Sequence, residues 1–320
     1  MGNFGRAFRQ FFYQIGKNHE KTPLLCSMKN IMSWGLFIIL TLIWGSSFIL
    51  MKEGLVKLTA YQVAAMRIFS SGMVLMPIGL RTFRQIPIEK IKYIVFSATV
   101  GSFIPAFLFC IAEEHINSSL AGIVNALSPL FSILIGALFY QMKTTPQKIG
   151  AVLIGFVGLC LLFIQKDGFK IDDQVGYSLL VVLATIGYGW NGNLLARHLS
   201  SVGSVNIASI AFPILAFPAL AVLVATGYFE HSWSDTAFLK SSFAAVVLGV
   251  VGTAIAQILF YMLLKRTSVL FASLVTYTIP FVAIVWGVWY GETITAMQIA
   301  CLVLILSGVY FANKRSKNAA

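Results

Sequence analysis

The sequence predicts an all-α integral membrane protein with ten transmembrane helices in two inverted five-helix repeats. Three observations carry that prediction: a composition outside the soluble range, ten apolar runs of spanning length, and a second half that matches the first at a fixed offset. Of the 320 residues, 58% are hydrophobic and 11% charged, with mean hydropathy +0.85. Soluble domains are about 45–50% apolar and about 25% charged, so a soluble enzyme of this length is excluded. The net charge of +12 raises nucleic acid as a partner, but the placement of the charges argues against it.

A helix needs about 20 mostly apolar residues to cross the hydrocarbon of a bilayer. Such runs are Met32–Met51, Tyr61–Leu80, Ile91–Ala112, Ser119–Tyr140 and Lys148–Ile164, followed by Gly176–Ala196, Val205–Gly227, Ser241–Met262, Leu270–Tyr290 and Ala296–Ala312. They are continuously apolar rather than alternating, which disfavours a β-barrel. The expected organisation is a polar, basic cytoplasmic extension over 1–31, a first repeat over 32–166, a second over 174–314 and a cytoplasmic tail over 315–320. Residues 1–27 are too hydrophilic for a signal peptide, and Met28 just ahead of the first run looks like a natural start, so this stretch is expected to be dispensable. The cysteines Cys26, Cys110, Cys160 and Cys301 show no metal or redox spacing.

With both termini in the cytoplasm, the inside segments hold 17 basic residues against two acids, Glu20 and Glu89. The outside segments hold five basic residues against nine acids. Such loop-by-loop partition follows the positive-inside rule and predicts a multi-pass protein of the cell membrane. A nucleic-acid patch would not alternate in this way.

Shifting the chain by 151 residues places Gly101 on Gly252, Pro129 on Pro280, Gly136 on Gly287, Thr144 on Thr295 and Gln147 on Gln298. Each unit then contains five spans. An odd number means that the second unit enters from the opposite side, which is the inverted repeat of secondary transporters, with a site near the midplane.

Trp44-Gly45-Ser46-Ser47-Phe48 resembles the opening of the EamA-type permeases of the drug/metabolite transporter superfamily. Tyr290-Gly291-Glu292-Thr293, continuing through Thr295 and Gln298 to Ser307-Gly308-Val309, resembles the close of an EamA unit, and the first unit departs from it at Tyr140-Gln141. The resemblance covers about 32–315 and implies a ten-helix inverted-repeat carrier, often an exporter of amino acids or other small metabolites.

Arg67 is the one charge placed well inside a span, and such a charge demands a partner or a water-filled cavity. It is the candidate for capturing an anionic group such as a carboxylate. Pro129 and Pro280 fall at the middle of their spans, where proline frees a carbonyl that a cavity can satisfy and lipid cannot. Asn125, Ser128, Thr276, Tyr277 and Thr278 stand around them. Trp44, Ser46 and Ser47 are expected to face Tyr188, Trp190, Asn191 and Asn193 across the pseudo-axis, with Gln257 and Tyr261 next in order. Glu113, Glu114 and His115 are expected to form a solvated loop. No catalytic group, metal site or cofactor is expected. The absence of a G-x-x-x-x-G-K-[ST] motif excludes a P-loop and argues against ATP as the energy source. The partners implied are a small-molecule substrate and membrane lipid, and a homodimer is compatible with the sequence. The function expected is a secondary carrier of a small polar or amphipathic metabolite such as an amino acid. The alternatives are a membrane enzyme acting on a lipid-linked substrate and a nucleotide-sugar or purine-type carrier of the same superfamily.

Overall fold

The computed structural model describes residues 23–142, 145–162, 164–165, 168–169 and 173–313. The first half contains α1 (Pro23–Leu55), α2 (Ala60–Thr82), α3 (Ile88–Glu113), α4 (Ser118–Tyr140) and α5 (Pro146–Leu162). The second contains α6 (Asp173–His198), α7 (Ser204–Ala225), α8 (Thr236–Arg266), α9 in two pieces (Val269–Ser273 and Val275–Trp289) and α10 (Ala296–Asn313). Between the halves, Ile164–Gln165 pairs antiparallel with Gly168–Phe169. Eight helices, α1 to α4 and α6 to α9, are long and apolar enough to cross a membrane. The chain is a multi-pass membrane protein. The fifth helix of each half is shorter: α5 has 17 residues, a length of about 26 Å at 1.5 Å per residue.

Local chemistry explains where helices begin. Thr59 and Gln62 bond reciprocally to each other's backbone N–H in a capping box that starts α2. Thr295 and Gln298 do the same ahead of α10, at 3.0 and 3.2 Å. The Thr-x-x-Gln signature is therefore a helix start. Its counterpart Thr144 lies outside the described residues.

Equivalent helices of the two halves pack on one another: α2 on α7, α4 on α9 and α5 on α10. Contacts made by α1 with α8 and α9 are mirrored by contacts of α6 with α3 and α4. Small residues permit the closest approach. A Cβ added at Gly72 of α2 would stand 2.5 Å from the Phe212 carbonyl oxygen and 2.6 Å from Ala216 Cβ of α7. In lipid, where hydrophobicity does not drive helices together, such backbone approach supplies the packing energy. Gly72→Ala is expected to lower stability by about 1–3 kcal/mol through overpacking, read as an earlier thermal transition of the detergent-purified protein.

Two irregularities recur in both halves, the first of them at the 151-residue offset. A π-helical turn interrupts α3 at Thr99–Phe103 and α8 at Val250–Ile255. The fourth helix of each half is also broken, at Ala126-Leu127 in α4 and at Leu274 in α9. In α4 the ring of Pro129 removes the bond to the Asn125 carbonyl, and Ser128 Oγ donates to that oxygen instead at 2.7 Å. Residues in or beside these irregular turns, Gly101, Thr253, Asn125, Ser128 and Ser273 among them, border one cavity.

Candidate functional site

The cavity between the halves has a volume of about 100 Å³, room for several waters. It is built as stripes at helical spacing. From α1 come Trp44, Ser47, Phe48 and Met51; from α6, Tyr188, Asn191 and Gly192; from α8, Thr253, Gln257 and Phe260. α2 contributes Arg67, α3 contributes Gly101, Ser102 and Phe109, and the broken helices contribute Asn125, Ser128, Ser132, Ser273, Thr276 and Ile279. Positions i, i+3, i+4 and i+7 share one face of a helix, which accounts for the stripes of α1, α6 and α8.

Both π turns present glycine to the opposite half. A Cβ at Gly101 would collide with the Asn191 amide, and one at Gly252 would stand 2.8 Å from Ser47 Oγ. Trp44 Nε1 donates to the Gly252 carbonyl at 3.1 Å, and its ring packs on Phe260 with centroids 5.3 Å apart. Ser97 Oγ donates to Asn191 Oδ1. π turns leave carbonyls free of the regular ladder and occur often at functional sites; here they let α3 and α8 approach α6 and α1.

Arg67 is half-buried and is held by one edge: its Nε donates to Thr253 Oγ1 at 2.6 Å. Among the described residues its terminal nitrogens make no hydrogen bond, and no Asp or Glu lines the cavity. The polar atoms around it are otherwise neutral hydroxyls and amides, and the walls are Trp44, Phe48, Phe109, Tyr188 and Phe260. The site therefore combines one cation, neutral hydrogen-bonding groups and aromatic faces.

The sequence candidates divide into two groups. Trp44, Ser47, Arg67, Asn125, Ser128, Tyr188, Asn191, Gln257 and Thr276 come together on the cavity wall. Ser46 does not border it, because its hydroxyl accepts from Trp286 Nε1 at 2.9 Å. Trp190 packs on Phe139 with centroids 4.7 Å apart. Asn193 is engaged by the Ser132 and Gly189 carbonyls. Thr278 meets Thr41 at 2.6 Å. Tyr261 is buried and borders a second cavity, of about 420 Å³, that also reaches Val269. Tyr277, Pro129 and Pro280 are buried in the packing of α4 and α9, with Pro280 against Gly122. Sequence reasoning overlooked Thr253 and Ser102, although each directly follows one of the two glycines related by the 151-residue offset.

One expectation is corrected. Glu113 is no part of a solvated loop: it ends α3 and is completely buried. Glu114 is exposed but accepts from the Ala60 N–H at 2.8 Å, and His115 stacks on Tyr177 with centroids 3.7 Å apart. Lys52 ties this corner to α1, its Nζ donating to the Glu113 and Ile116 carbonyls at 2.8 and 2.9 Å.

Comparison with known proteins matches the chain to the EamA-like transporter family twice, over residues 32–164 and 176–314. A probable amino-acid metabolite efflux pump of Salmonella typhimurium is 22% identical over 86% of this chain and 92% of its own length. A probable terminal-alkyne amino-acid exporter of Streptantibioticus cattleyicolor is 22% identical over 87% and 93%. A solved crystal structure superposes with TM-score 0.62 at 18% identity, covering 88% of this chain and 96% of the other; that likeness is one of fold.

Proposed function

The chain belongs to the EamA-like transporter family, and on that premise we propose that it is a secondary carrier exporting or exchanging a small polar or amphipathic metabolite, such as an amino acid, by alternating access. The observation that carries this reading is the cavity bordered by Arg67, aromatic walls and neutral hydrogen-bonding groups, with no Asp or Glu in its lining. A carboxylate would complete it, and the aromatic faces would hold an apolar side chain. Relatives named for amino-acid metabolites and an amino acid support the same class of cargo.

Ten spans in two inverted units are one arrangement through which alternating access works. The double family match, the recurrence of π turns and broken helices, and the pairing of α2 with α7 and α5 with α10 support it. The charge bias puts the end bearing Lys265 inside and the end bearing Glu113 and Glu292 outside. The second cavity, bordered by Lys265 and Ser268, then lies on the inner side of the central one. Labelling of single cysteines should find position 317 cytoplasmic and position 172 external; the reverse would overturn the orientation.

The reading is tested by flux. Proteoliposomes containing the protein should accumulate or release one or more members of a labelled amino-acid mixture faster than empty liposomes, and Arg67→Ala should abolish the difference. Flux of nucleobases or nucleotide sugars with none of amino acids would move the chain to another class of cargo.

A further inference from the structure

Glu113 is unlike every other acid described. It is 0% exposed, and neither carboxylate oxygen has a hydrogen-bond partner among the described residues. The Ser118 hydroxyl beside it is also buried and within reach of the carboxyl, but not in hydrogen-bonding geometry with it. Lys52 comes close, but its ammonium is directed to the carbonyls of Glu113 and Ile116 rather than to the carboxyl.

The charged groups that face Glu113 are Lys52 of α1, Arg67 of α2 and Glu292 beyond α9; Cys110 lies on its own helix. Glu114 follows it in sequence with its carboxylate on Ala60 N. Lys52 and Arg67 act on Glu113 only through space, and neither gives its carboxyl oxygens a hydrogen-bond donor. A carboxylate buried without donors is strongly penalised, and such groups neutralise instead. The neutral acid can donate to a hydroxyl such as that of Ser118, which the anion cannot.

We propose that Glu113 is a proton-binding site of this carrier, neutral while the surrounding end of the bundle is closed and ionised when that end opens to water. The closed form then binds one proton more than the open form. By linkage, acid favours closure and rising pH favours opening. The proton site stands on its own geometry, and only its tie to opening rests on the carrier reading given above.

Infrared spectroscopy of the lipid-reconstituted protein tests the proton directly. The wild type at neutral pH should show a protonated-carboxyl C=O stretch that Glu113→Gln removes and Glu114→Gln retains. If the Gln variant does not fold, Glu113→Asp should shift the band instead. Persistence of the unshifted band in the Glu113 variant, or its absence from the wild type, would overturn the site. Hydrogen–deuterium exchange of segment 104–120, corrected for intrinsic rates, tests the link to opening. Protection should fall as pH rises in the wild type and stay high throughout in Glu113→Gln. The same pH dependence in both would overturn the link while leaving the infrared result intact. Neither measurement needs a substrate, so the outcome is separable from failure of the cargo assignment.

Discussion

Arg67→Ala should weaken binding of a carboxylate-bearing cargo about a hundredfold, while a neutral analogue without the carboxylate loses little. Truncating one member of a desolvated, hydrogen-bonded charge pair is worth a few kcal/mol, and about 2.8 kcal/mol corresponds to a hundredfold. The geometry says why the effect should be selective. Thr253 holds the Nε edge of the guanidinium at 2.6 Å, and Ser71 Oγ holds the Arg67 carbonyl at 2.6 Å. The two terminal nitrogens make no hydrogen bond among the described residues and keep the fork that matches a carboxylate. Arg67→Lys keeps the charge but loses both the bond to Thr253 and the fork, so affinity should still fall with folding preserved. Thr253→Val should give an intermediate loss for the carboxylate ligand, because the fork stays but turns more freely. Binding of paired acid and amide analogues to the reconstituted protein measures this; equal losses for both would sink the idea of carboxylate capture.

The spans were legible because a bilayer leaves the backbone few options: each crossing segment must satisfy its own hydrogen bonds. The repeat was legible because glycine and proline coincidences survive where apolar matches mean little. What Gly101 and Gly252 do was not legible, since a π turn leaves no pattern in side-chain hydropathy. On the cavity wall, residue type misled and spacing was the better guide. Trp44, Ser47, Phe48 and Met51 follow one stripe of α1, whereas Ser46 projects elsewhere and meets Trp286. Tyr188, Asn191 and Gly192 follow one stripe of α6, and Trp190 turns to Phe139. Polarity near the centre of a span was therefore insufficient without its azimuth. Glu113 escaped for a related reason. Adjacent residues at a helix end point about 100° apart, so of two neighbouring carboxyls one can face inward and the other the helix start at Ala60.

Glu292→Ala should be the most damaging single change at the same end of the bundle, lowering stability by about 2–4 kcal/mol. Its carboxylate accepts from Ser118 N at 2.9 Å, Ser119 N at 3.1 Å and Ser119 Oγ at 2.9 Å. Those N–H groups open α4 and have no intrahelical acceptor, so the acid of the second half caps a helix of the first. The negative charge also suits the positive end of α4. The counterpart helix α9 starts instead on Ser268, whose hydroxyl accepts from Phe271 N at 3.1 Å. Hydrogen bonds to charged groups contribute about 1.5–3 kcal/mol each, and the three share one carboxylate, so their loss falls short of the sum. Gly287 provides an independent check. A Cβ there would stand 2.5 Å from both Glu292 Oε2 and Ser119 Oγ. Gly287→Ala should therefore displace the carboxylate and reproduce most of the Glu292→Ala defect with the acid still present. Glu292→Gln, which keeps one acceptor oxygen without the charge, should be milder than either. Thermal unfolding in detergent gives the order. If Gly287→Ala is as stable as the wild type while Glu292→Ala is not, the carboxylate acts somewhere other than on the start of α4. Exchange of amides 118 and 119 separates the alternatives, since their protection should collapse in both variants when the cap is the cause.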